Sequence, residues 1–192
     1  MGKAFGHSSE KNRNKNDYYP TPYSMTKQLL QNYPLDTHWN YYDPATGEAE
    51  AIEKVFKENG LKIAGNDIIN GANLLQDKRE YDFIVTNPPY NLADEFVEKA
   101  RENSKHGFAM LLRTNFLSGQ KRFEAGRFEN LKRVMIFTRM PDLNSELRED
   151  GKYRTAMIVY AWFVWEHSYS GNPEISWIDN QKFVLKKCEE GE

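Results

Sequence analysis

From Tyr23 onward, short continuous apolar runs alternate with stretches whose apolar residues recur at helical spacing, the pattern of a chain that builds a buried sheet and covers it with helices. The run Phe83, Ile84, Val85 is continuous, which suits a strand covered on both faces in the middle of a parallel sheet. It ends at Asn87, because neither Pro88 nor Pro89 has an N–H for a ladder and each keeps the residue before it extended. Residues 39–43 and 61–66 read as earlier strands, 71–75 as a lead into a third edge strand, and 108–112, 134–137 and 156–164 as later strands, about seven in all. Residues 23–32 read as a helix with Thr21 as N-cap and Pro22 at its first position. A second helix follows a small-residue turn, carries Ile52, Val55 and Phe56 inward and ends at Gly60. A third, with Asn91 and Asp94 as capping pair, turns Leu92, Phe96, Val97 and Ala100 inward and runs to about residue 103, before His106-Gly107 breaks it. A fourth lies around 120–128, followed by a polar stretch at 140–153. The expected fold is α/β with an open, mostly parallel sheet, in one domain at 17–192 behind a flexible basic arm at 1–16.

Composition narrows this picture modestly. A chain of 192 residues with 39% hydrophobic and 28% charged residues suits one globular domain, and 14% aromatic content leaves rings for stacking as well as packing. The single cysteine, Cys188, forms no internal disulfide or zinc cluster. The longest apolar run, 156–165, is about half the length that crosses a bilayer, and a secretory leader is not evident, so a cytoplasmic protein is expected. The net charge is -2, yet residues 113–139 hold seven basic side chains against Glu124 and Glu129.

A stiff loop at the carboxyl end of a parallel strand stands where open α/β sheets bind ligands. Asn87 offers an amide, the prolines offer carbonyls and Tyr90 a ring, a set suited to a planar substrate bearing an amine. Adenine carries such an amine, with two hydrogens to donate and a lone pair delocalised into its ring. Accepting both hydrogens at the Asn87 side-chain oxygen and the Pro88 carbonyl lets the nitrogen turn tetrahedral toward an electrophilic carbon, with Tyr90 stacked on the base. Packing alone would make the same residues a Pro-Pro turn and a half-buried tyrosine. The strand, Gly47 turn and helix that precede this corner let a ligand lie against the backbone at a helix start. Asp67, with Ile68 beside it, lies 20 residues beyond Gly47, the spacing of an acid that binds a ribose. The Asn73 side-chain oxygen suits an adenine amine, although a turn asparagine needs no ligand.

In this order the motifs resemble those of the S-adenosylmethionine-dependent amino-methyltransferases, notably the N6-adenine DNA methyltransferases. Asn87-Pro88-Pro89-Tyr90 is similar to the family's Asp/Asn-Pro-Pro-Tyr/Phe signature. The segment from Asp17 to Pro22 resembles its Tyr/Thr-Pro motif, which implies that Tyr19 and Thr21 help hold the methionine part of the cofactor. The segment from Asp43 to Ala49 resembles its acidic, small-residue, Gly-x-Gly loop, so Asp43, Ala45 and Gly47 carry over as cofactor positions. Ala49 replaces the second glycine, and Asn73 stands where the family usually has aspartate. The resemblance implies a Rossmann-like class I methyltransferase fold with helices on both faces of a seven-stranded sheet, S-adenosylmethionine as cofactor and no metal. It also implies cofactor contacts from Asp67, Ile68, Asn73 and Asn87, and catalysis by alignment at Asn87, Pro88, Pro89 and Tyr90 on a flipped base. Compact phage and prophage adenine methylases are similar in extent, since 168–192 is too short for a separate target-recognition domain.

The expected partner is DNA, or alternatively RNA, with no membrane; the protein is expected to be a monomer or weak homodimer, with an external specificity partner as a further option. Arg113, Lys121, Arg122 and Arg127 are candidate phosphate contacts, and Tyr90 with Phe116, or else Phe123, candidate stacking rings. If scattered, those cations would be only a solvated surface. Other acceptors on the same fold are RNA amines and the glutamine amide of a protein. Ala49 and Asn73 also admit a decayed, nucleic-acid-binding relative.

Overall fold

The computed structural model describes residues 21–68, 71, 73–139 and 158–179. Seven strands, β1 (Asn40–Asp43), β2 (Lys62–Gly65), β3 (Tyr81–Thr86), β4 (Ser104–Arg113), β5 (Leu131–Phe137), β6 (Tyr160–Glu166) and β7 (Glu174–Ile178), form one sheet in the order β2-β1-β3-β4-β6-β5-β7. Among them β6 alone runs antiparallel to its neighbours. The expected α/β, mostly parallel seven-stranded architecture is therefore present.

Side chains alternate across each strand, so the continuous apolar runs build two cores. On one face Tyr41, Phe83 and Val85 meet Met25 and Leu29 of α1 (Tyr23–Asn32) and Ile52 and Phe56 of α2 (Ala51–Glu58). On the other, Ile84, Phe108 and Met110 meet Phe96, Val97 and Ala100 of α3 (Ala93–Asn103). Phe83, Ile84 and Val85 are fully buried, each contributing about 1.5–3 kcal/mol relative to exposure. The Trp162 indole crosses from β6 and donates to the Met25 carbonyl at 2.8 Å, which ties α1 to the sheet.

Several local expectations need correction. Pro22, not Thr21, occupies the α1 cap position, and no side chain caps it. Asn73 opens a short 3-10 turn at Leu74–Gln76 by accepting the Leu75 N–H, so 71–75 leads to no edge strand. The seventh strand is instead β7, in a region expected to follow the last one. Leu92 sits at the α3 cap position without a side-chain cap bond, and Asp94 is drawn away by Arg122. His106-Gly107 breaks no helix: α3 ends at Asn103, and both residues lie inside β4. The 1–16 arm and the 140–153 stretch lie outside the described residues, as does the start of the expected 156–164 strand.

The reason for Gly107 is a bulge. Between the pairs Tyr81↔Ser104 and Phe83↔Gly107, β4 spends one more residue than β3, and Gly107 adopts φ +153 to absorb it. A side chain there would overlap the Trp165 carbonyl oxygen on β6. Gly107→Ala is expected to destabilise the protein by about 2–4 kcal/mol, read as a lower urea midpoint with an unchanged slope.

Candidate active site

The first candidate element grows out of strand pairing. Tyr41 and Tyr42 of β1 lie in parallel register with Phe83 and Ile84 of β3, so Asp43 and Thr86 emerge together at the carboxyl end of the sheet. Asp43 Oδ1 accepts the Thr86 hydroxyl at 2.7 Å and the Ala45 N–H at 3.0 Å. One buried carboxylate thus fastens the acidic turn to the strand that carries the proline corner. Beyond it, Gly47 turns at φ 60 and donates its N–H to Asp67 Oδ2 at 2.9 Å. The β1-β2 ladder continues into this turn through Asn66 N–H to Asp43 O and Thr46 N–H to Asn66 O.

Acidic groups concentrate under the turn. Glu53 of α2 is 3% exposed, and its carboxylate occupies the space that a Cβ on Gly65 would take. Burial pushes the Asp43 carboxyl well above the usual carboxylate range, and the neighbouring Glu53 charge adds to the rise. Burial raises Glu53 as well. Asp43 Oδ2 and Glu53 Oε2 have no hydrogen-bond partner among the described residues. Buried acceptors without donors, beside a glycine turn, suit the cationic end of a ligand.

The second element is the corner. Asn87 Nδ2 donates to Thr21 Oγ1 at 2.9 Å, joining the segment before α1 to the end of β3. Tyr90 opens a 3-10 turn at Tyr90–Leu92 that leads into α3. The Arg113 guanidinium stands 4.5 Å from its ring centroid, and the Tyr160 ring lies 5.3 Å away, tilted by 43°. Arg113 and Tyr160 are register partners on β4 and β6, so the sheet itself brings both to Tyr90. Burial, then the Tyr160 hydroxyl, pushes the Tyr90 phenol well above its ordinary value.

Thr21, Asp43, Gly47, Asp67 and Asn87 therefore share one end of the sheet, with Ala45 bound to Asp43. Pro88 is buried and Pro89 half-buried between Asn87 and Tyr90. Ile68 is 64% exposed beside Asp67, and the Asn73 oxygen is spent on its own turn. Tyr19 lies outside the described residues. Phe116 is 3% exposed and packs edge-on against Phe128, Phe163 and Trp165, so it offers no open stacking face. Its rival Phe123 is 71% exposed.

The basic run is largely answered by carboxylates from elsewhere in the chain. Arg122 pairs with Asp94, Arg127 with Glu98, Lys132 with Glu166 and Arg133 with Glu174. The local excess is thus a feature of the sequence that the fold cancels, while Lys121 is exposed and forms no ion pair among the described residues. Thr86, Glu53 and Tyr160 were not among the sequence candidates. Tyr23, also unanticipated, donates its hydroxyl to the Ala49 carbonyl at 3.3 Å. Thr86 adjoins the Asn-Pro-Pro-Tyr motif and could have been found there; the other three needed the tertiary structure.

No family model matches the chain, and no curated protein matches it. Solved structures do share its fold. A protein from Vibrio vulnificus described as a modification subunit of a type I restriction enzyme superposes with a TM-score of 0.55 at 14% identity, over 92% of this chain and 50% of its own. A class I S-adenosylmethionine-dependent methyltransferase, so described, from Listeria monocytogenes gives 0.54 at 10% identity, over 94% and 70%. The type I restriction enzyme EcoKI M protein gives 0.51 at 17%, over 82% and 45%. The chain thus spans about half the length of the two restriction-enzyme proteins. The fold is the Rossmann-like class I methyltransferase fold.

A carboxyl whose pKa is raised by folding holds its proton longer when folded, so it withdraws stability as pH climbs above the unfolded value of about 4. Asp43→Asn keeps an oxygen for Thr86 and Ala45 and removes that loss. Its melting temperature, followed by calorimetry from about pH 4 to pH 8, should exceed the wild type by a margin that widens with pH, about 2–4 °C for each kcal/mol recovered.

Proposed function

We propose that this protein transfers a methyl group from S-adenosylmethionine to the N6 amine of adenine in DNA. The observation that carries the reading is the Asp43–Thr86 hydrogen bond, which sets the acidic glycine turn directly beside the Asn-Pro-Pro-Tyr corner. The residues at the turn suit the cofactor: Asp43 and Glu53 each keep a buried acceptor for a cationic group, and Asp67 braces the glycine against which the ligand would lie. When bound, S-adenosylmethionine supplies a methyl carbon made electrophilic by its sulfonium.

The chain's own work is alignment. Thr21 accepts an amide hydrogen of Asn87, which orients that side chain with its nitrogen toward Thr21 and its oxygen away. Asn87 Oδ1 and the Pro88 carbonyl then take the two hydrogens of the amine, restoring its lone pair, while Tyr90 holds the base plane. Asn87 is neutral and removes no proton; the surplus proton passes to water after transfer. That one structural neighbour is described as a modification subunit of a type I restriction enzyme and another as a type I restriction enzyme M protein agrees with a DNA acceptor. Acting on DNA, the protein would work in the cytoplasm of a bacterial or phage-infected cell, with a second protein as a candidate source of target choice.

Incubation with mixed DNA and RNA and labelled cofactor, followed by nucleoside mass spectrometry, should yield N6-methyladenine from DNA. Asn87→Ala should lower that yield at least about 100-fold while cofactor binding, measured by calorimetry, persists; an active variant refutes the assignment. A wild type that binds no S-adenosylmethionine would instead point to the decayed relative that Ala49 admits. Thr21→Val, which removes one hydrogen bond, should reduce kcat about tenfold with KM little changed, and Thr21→Ser should restore it.

A further inference from the structure

Of the basic side chains of residues 113–133, Arg113 is the one that lies against the Tyr90 ring. Arg122, Arg127, Lys132 and Arg133 each have a carboxylate within ion-pair distance. Arg113 has none among the described residues, and its Nε is buried without a hydrogen-bond partner. Its guanidinium lies against the Tyr90 ring, held by an attraction that leaves the N–H fork uncommitted. The position is built rather than incidental, because Arg113 ends β4 in register with Tyr160, which itself contacts Tyr90. Burying a guanidinium N–H without an acceptor is unfavourable, and the fold tolerates it at the point where the proposed acceptor would arrive.

We infer that Arg113 binds the phosphodiester flanking the target adenine, making it the residue that distinguishes a nucleotide acceptor from a peptide amide. This rests on the proposed function. A guanidinium fork matches two phosphate oxygens, and every base brought to Tyr90 carries a phosphate one sugar away, whereas a glutamine side chain brings none. One such contact neutralises one phosphate, so Arg113 should contribute about 0.7–0.9 to the salt dependence of binding.

The test uses oligonucleotides with one adenine, in which either flanking linkage is in turn a neutral methylphosphonate. Wild-type KM should rise on the order of tenfold for one of the two neutral linkages, with kcat nearly kept. Arg113→Gln should show the raised KM on the natural oligonucleotide and no further rise on the neutral one, and Arg113→Lys an intermediate value. S-adenosylhomocysteine binding by calorimetry reports that the variants are folded, and the wild-type comparison decides even if they are not. Equal wild-type KM on all linkages, or variant and linkage effects that multiply, would overturn the inference while leaving adenine methylation intact. Absence of N6-methyladenine from every wild-type reaction would overturn the proposed function and this inference with it.

Discussion

The hydrogen bond from Thr86 to Asp43 is the constraint on which the candidate site depends. It joins the ends of two parallel neighbours, so the spacing of the turn and the corner is set by the sheet rather than by the loops. Thr21 extends the same arrangement to the segment before α1, and Asp67 extends it to β2. Four segments distant in sequence thereby converge through side-chain bonds at the ends of strands, which is where open α/β sheets leave backbone and side-chain groups to receive a ligand.

That convergence is costly for the fold. Asp43 and Glu53 share a poorly solvated space, and both carboxyls are shifted upward by it. Gly65 is what allows Glu53 in, because any larger residue would claim its place. Arg113 poses the complementary problem on the other side of the corner, a cation resting on an aromatic face. A site that keeps acidic groups at the turn and a cation beside the ring offers opposite chemistry to two ligands, and its polar groups contribute more to recognition than to folding.

Much of this was legible in the chain. The continuous Phe83–Ile84–Val85 run and the proline pair after it located the central strand and its end to within a residue, because burial on both faces and missing N–H groups leave little choice. The apolar faces of α2 and α3 were legible for the same reason of periodicity. Errors came where local signals have two physical outcomes. Asn73 caps a turn as well as it binds a base; Gly107 permits a bulge as readily as it ends a helix; Thr21 bonds to a distant side chain rather than to its own helix. The basic run misled because its neutralising carboxylates lie on α3, β6 and β7, and pairing at that separation has no signature in sequence. Glu53 was invisible because a charged residue next to an apolar stripe ordinarily faces solvent.

The reversed direction of β6 has an architectural outcome. Because β5 rises to the rim at Phe137 and β6 descends from it at Tyr160, the connector between them departs from and returns to the same rim as Asn87 and Tyr90. Antiparallel pairing of β5 with β6 thus adds two further strand ends, Phe137 and Tyr160, to the rim that carries the candidate site, and Tyr160 from there reaches the Tyr90 ring.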